Sequence, residues 1–116
     1  MVVKFNNLEW EIHEAGKDDL VKRYKEDHSE NCDYVFGLTD YVTHDIYINN
    51  ELLYPQKRKT LMHELMHAYL WSVGMCDIKS FSEEIVCDLV GSCSDLIVEA
   101  VEHYFKVSAK WEEVDD

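Results

Sequence analysis

A chain of 116 residues with 47% hydrophobic and 12% aromatic residues has the size of one domain and can bury a core without disulfides. Eleven Lys and Arg stand against 24 Asp and Glu, a formal net charge of −13. That balance excludes direct nucleic-acid binding, whose affinity comes from clustered cations neutralising phosphates, and it weakly favours a basic partner.

No segment approaches the about 18 uninterrupted apolar residues of a membrane span, so no membrane association is expected. The opening "MVVKFNNLEWEIHEAGKDD" lacks a basic region followed by an apolar core and a small-residue cleavage site, and a cytoplasmic location is expected. Cys32, Cys76, Cys87 and Cys93 form no CxxC pair and read as reduced, largely buried small hydrophobes.

In chain order, "VVKFNNLEWEIHEA" has extended-type composition around Asn6-Asn7 and predicts a strand or hairpin. Lys17 to His28 predicts a short charged helix with Leu20, Val21 and Tyr24 as a thin apolar stripe. In "DYVFGLTDYVTHDIYINNEL" two antiparallel strands are expected, Tyr34 to Leu38 and Asp45 to Ile48, with "LTDYVTHD" as the bend. Alternation in the second strand sends Ile46 and Ile48 to one side and Tyr47 to the other. Pro55 suits the first turn of a helix that runs to about Val73, where Gly74 closes it in the left-handed conformation. Leu61, Met62, Leu65, Met66, Tyr69 and Val73 form its expected buried stripe, with His63 and His67 along the edge. "SFSE", Ser80 to Glu83, has the form of a capping box, and a second helix follows towards Phe105 with a break expected at Gly91-Ser92. The acidic end, residues 110–116, is expected to fray, leaving a single domain over 1–116.

The chemistry is concentrated in "HELMH", His63 to His67. Residues i and i+4 of a helix share a face, so the two imidazoles can meet one metal ion, while Glu64 points beside the metal and can take a proton from a water activated there. Typical frequencies of about 2% for His and about 6% for Glu over roughly 110 positions make an accidental HExxH rare, on the order of 0.3%. Catalytic zinc takes three protein ligands, so a third is required. A histidine six residues past His67 is absent, because Val73 stands there. The following helix offers Glu84, with Asp88 one turn on to accept the free ring N–H of a ligand histidine. Glu83, which also fits the capping box, and Cys87 remain alternatives for the third ligand.

"HELMH" followed by "EEIVCDLVG" resembles the gluzincin arrangement, HExxH then ExxxD on the next helix. Together with the small size, the strand pair before the HExxH helix and the intervening loop, it is similar to the ImmA/IrrE family of metallopeptidases, common in phages and mobile elements. The chain departs from the family pattern at Met66, where members often carry Gly, and at Val90, where an aromatic residue is usual. The resemblance implies an α+β, zincin-like domain of the minigluzincin type, with a short antiparallel sheet packed on an active-site helix and a following ligand helix. It implies one zinc ion per chain, held by His63, His67 and Glu84, with Glu64 as base. It further implies endopeptidase action on a specific intracellular protein such as a phage or mobile-element regulator. The strand carrying Ile46, Tyr47 and Ile48 would be the sheet edge that pairs with the substrate. Tyr41, His44, Tyr54, His103 and Tyr104 are candidate donors to an oxyanion. The competing reading is a catalytically silent, acidic zinc-binding module that inhibits or sequesters a basic partner.

Overall fold

The computed structural model describes residues 1–28, 34–75 and 83–114. Its elements are β1 (Val2–Phe5), β2 (Leu8–Ala15), α1 (Lys17–His28), β3 (Gly37–Asp40), β4 (Asp45–Asn49), α2 (Tyr54–Ser72) and α3 (Glu83–Val114). The architecture is α+β, a four-stranded sheet in the order β1-β2-β4-β3 with helices on both faces.

The N-terminal hairpin turns at Asn6 and Asn7, both at positive φ (48° and 68°), the tight-turn geometry that asparagine tolerates. Ile12, Ile46 and Ile48 face α2 and α3, while Ala15, Leu38 and Tyr47 pack on the opposite face with Leu20 of α1.

The sheet is mixed, which corrects the antiparallel expectation. β2 pairs parallel with β4, whereas β1–β2 and β3–β4 are antiparallel. Parallel neighbours require a crossover, and α1 lies in the connection between them. As a result β4 has partners on both sides and the edge strands are β1 and β3, so Ile46, Tyr47 and Ile48 cannot form the expected substrate-binding edge. Both isoleucines are fully buried.

The strand before β4 also lies later than expected, at Gly37–Asp40. Asp40 Oδ1 accepts from the backbone N–H groups of Val42 and Thr43, and His44 takes φ 61°, so the reversal occupies Tyr41–His44 and leaves Leu38–Asp40 extended. Buried Asn49 holds the preceding segment: its Nδ2 donates to the Val35 carbonyl at 3.0 Å and its backbone N–H to that of Phe36 at 2.9 Å.

Pro55 sits in the first turn of α2, as its missing N–H allows. At the other end Gly74 (φ 77°) donates to the Trp71 carbonyl and Met75 to the Leu70 carbonyl, a Schellman closure. The buried residues of α2 are Thr60, Leu61, Glu64, Leu65, Ala68 and Ser72, a stripe rotated from the expected one so that it includes Glu64. Met62, Met66 and Tyr69 are only partly buried against the same core. α3 passes Gly91-Ser92 without the expected break and reaches Val114. Cys93 is buried as expected, but Cys87 is exposed, because α3 has one packed face and Cys87 lies off it. Cys32, Cys76 and Ser80 of the expected capping box lie outside the described residues.

Candidate active site

α2 carries His63 and His67 on its solvent side, one turn apart. Their Nε2 atoms are 3.1 Å from each other, with ring planes at 76°. Two nitrogen ligands at about 2.0–2.1 Å from one tetrahedral ion lie about 3.3 Å apart, so this pair has the separation a shared zinc demands. Without an ion, the same contact is a hydrogen bond in which one Nε2 carries the proton and the other accepts it.

Glu64 lies between the helix and the sheet and is 7% exposed. Its Oε1 accepts from Thr39 Oγ1 at 2.9 Å, and its Oε2 lies 3.9 Å from His63 Nε2. One carboxylate oxygen is anchored by β3 and the other is turned towards the imidazoles. That close approach needs Gly37: a Cβ there would stand 2.7 Å from Thr60 Cγ2 and 3.0 Å from Glu64 Cγ.

Two cavities flank the histidines. A groove of about 640 Å³ between α2 and α3 is walled by apolar side chains, among them Met62, Met66, Leu70, Val90 and Ile97. A smaller one of about 350 Å³ lies between α2 and the start of β3, where Tyr34, Phe36 and Gly37 face His63 and Glu64.

The structure therefore brings together His63, His67 and Glu64, but not Glu84. That residue is exposed in the first turn of α3, and its carboxylate is not within 4.8 Å of both imidazole nitrogens. Glu83 and Cys87 are exposed on the same stretch. The side chain of Asp88 lies outside the described residues. None of the five oxyanion candidates lines either cavity. Tyr104 donates to Glu14 Oε2 at 2.6 Å, His44 stacks on Trp10, Tyr54 meets Phe105, Tyr41 lies against Trp71, and His103 lines a separate cavity with the N-terminal strand.

Among the described residues, the three-membered group with ligand-type atoms mutually within 4.8 Å is Glu11, His13 and Asp45. It holds a hydrogen bond between His13 Nε2 and Asp45 Oδ1 at 2.8 Å, with the imidazole stacked on Tyr47. Burial opposes ionisation of Asp45, but hydrogen bonds from His13 and Thr43 outweigh it and hold the carboxyl below its ordinary value.

Sequence reasoning missed Thr39 and Gly37. A threonine in a β-rich run carries no signal of its own, since its partner lies on another element, 25 residues away. The lone glycine in that run was a usable sign of close backbone approach.

The sequence matches the Peptidase_M78 family, described as the IrrE N-terminal-like domain, over residues 13–86, more than half of the chain. Comparison with curated proteins and with solved structures yields no match. Among the described residues, no helix is long and apolar enough to cross a membrane.

Proposed function

The chain belongs to the Peptidase_M78 family of IrrE N-terminal-like domains, and on that footing we propose that it is a zinc-dependent endopeptidase with a gluzincin-type site on a small zincin-like scaffold. The observation that carries the proposal is the imidazole pair with Nε2 atoms 3.1 Å apart beside the buried carboxylate of Glu64. His63 and His67 are two neutral nitrogen donors for the ion. Glu84 is the third ligand in this reading, supplied by the helix whose Val90 and Cys93 share the groove with both histidines. Asp88 is assigned to the free ring N–H of a ligand histidine, fixing its tautomer. When bound, zinc supplies Lewis-acid polarisation of the scissile carbonyl and makes water more acidic.

Glu64 is the general base. Thr39 holds Oε1, so Oε2 remains to take the proton of the attacking water and return it to the leaving nitrogen. An extended substrate pairs with the free edge of β3, and the walls of the two cavities keep water from the reacting bond. The substrate in this reading is an intracellular protein, such as a regulator of a phage or mobile element.

Metal analysis after saturation with zinc should find one tightly held ion per chain, lost in His63→Ala and His67→Ala. Glu84→Ala should weaken zinc binding far more than Cys87→Ala; the reverse order moves the third ligand to the thiol. Glu64→Gln should keep the fold and the zinc while losing about 10² to 10⁴ in cleavage rate. A wild type without tight zinc, or a Glu64→Gln protein that cleaves as fast as wild type, would sink the peptidase reading.

A further inference from the structure

Three consecutive cations, Lys57, Arg58 and Lys59, lie in the N-terminal half of α2. Two of them are held by carboxylates: Lys57 Nζ lies 2.7 Å from Glu14 Oε1, and Arg58 Nη2 lies 2.8 Å from Glu102 Oε1. Lys59 is exposed and makes no ion pair or hydrogen bond among the described residues. It stands one turn before His63 on the same helical face. Lys59 and His63 are also the two residues common to both cavities, so the free ammonium rises on the ridge between them.

Among the described residues, the acidic excess of the whole molecule does not extend to these cavities. In a chain of net charge −13, the described residues lining the two cavities include one carboxylate, the Thr39-bound Glu64, against Arg58 and Lys59. The molecular field is screened over about 8–10 Å at ordinary ionic strength, so it steers encounter, whereas a cation at contact distance decides which side chain fits.

Resting on the peptidase reading above, we propose that Lys59 is a specificity-determining residue that selects a substrate with an Asp or Glu side chain within two residues of the scissile bond. Lys59 lines the smaller cavity together with Phe36 and Gly37, where β3 begins. A substrate strand antiparallel to β3 brings the residues C-terminal to the cut to that end, so the acidic residue belongs on that side. The ammonium has rotatable donors and, among the described residues, no competing carboxylate to displace. It accepts a carboxylate, tolerates an amide poorly and repels a cation.

The test is digestion of one synthetic peptide library of randomised sequence by zinc-saturated wild type, Lys59→Gln and Lys59→Glu, with cut sites read by mass spectrometry. Wild type should favour Asp and Glu over Asn and Gln by about tenfold at a position C-terminal to the cut, in the range of a charge-assisted hydrogen bond at a partly exposed site. Lys59→Gln should level that preference, and Lys59→Glu should turn it towards Lys and Arg. On single peptides the change should fall mainly in KM. Because Lys59 is exposed and, among the described residues, unpaired, all three proteins should melt at the same temperature. Identical cut-site profiles in the three proteins, or an acidic preference that survives in Lys59→Glu, overturns the assignment of Lys59 and leaves the peptidase reading standing. A wild type that cuts no peptide overturns both.

Discussion

Thr39 shows what a single side chain does at this site. Its hydroxyl is buried and donates to Glu64 Oε1, with the Glu64 backbone carbonyl a longer second acceptor at 3.3 Å. Replacing Thr39 by Val keeps the shape but leaves a buried carboxylate oxygen without its donor, which costs about 1–3 kcal/mol. Denaturant unfolding of Thr39→Val should show a midpoint lowered accordingly, with Thr39→Ser close to wild type. If Val and Ser behave alike, the hydroxyl does not hold Glu64. The same substitution should lower the cleavage rate in the peptidase reading, because a carboxylate free to rotate no longer presents Oε2 beside His63.

At the scale of elements, α2 decides the geometry. Its C-terminus is closed by Gly74 at φ 77°, where a Cβ would meet nothing within 4 Å. The requirement there is conformational rather than steric: an L-residue in the left-handed region costs about 1 kcal/mol. Gly74→Ala should therefore lower stability by about 1 kcal/mol, read as a shift in the denaturant midpoint without a change in slope. A loss near zero would mean that the closure is not formed in solution. The helix is also held by the sheet: Thr60 and Glu64 in its middle turns pack against Gly37, and at its C-terminal end Trp10 Nε1 donates to Ser72 Oγ at 2.8 Å.

For the whole molecule, Glu14 is the tie between layers. Its Oε1 receives Lys57 of α2 and its Oε2 receives the Tyr104 hydroxyl of α3, so one carboxylate joins β2 to both helices. Burial works against its ionisation, yet the hydrogen bonds from Lys57 and Tyr104 hold its carboxyl below the ordinary glutamate value of 4.5. A carboxyl depressed in the folded state adds stability above its unfolded pKa. That stability is lost as pH falls through 4.5 and then through the lower folded value. The melting temperature should fall between about pH 5 and pH 3, and Glu14→Gln should flatten that fall while lowering stability at neutral pH. A wild-type profile with the slope of the Gln variant would show that the tie does not survive in solution.

Local chemistry alone determined much of this protein. The HExxH spacing put two imidazoles on one helical turn, Pro55 and Gly74 bounded that helix, Asn6-Asn7 made the hairpin turn, and the alternation of Asp45 to Ile48 chose the buried face. Each of these depends on neighbours within a few residues, through helical and strand periods and allowed backbone angles. What only the tertiary structure decided depends on residues far apart in the chain. The parallel pairing of β2 with β4 moved Ile46, Tyr47 and Ile48 from edge to interior and left β1 and β3 as the edge strands. The register of β3 on β4 set Thr39 opposite Ile46, where it reaches Glu64. The stripe of α2 turned inward by the width of one residue because Gly37 lets Thr60 and Glu64 approach the sheet, a contact no helical period announces. Lys59 emerged as an unpaired cation among the described residues only once Glu14 and Glu102 had claimed Lys57 and Arg58, and both claims cross more than 40 residues of chain.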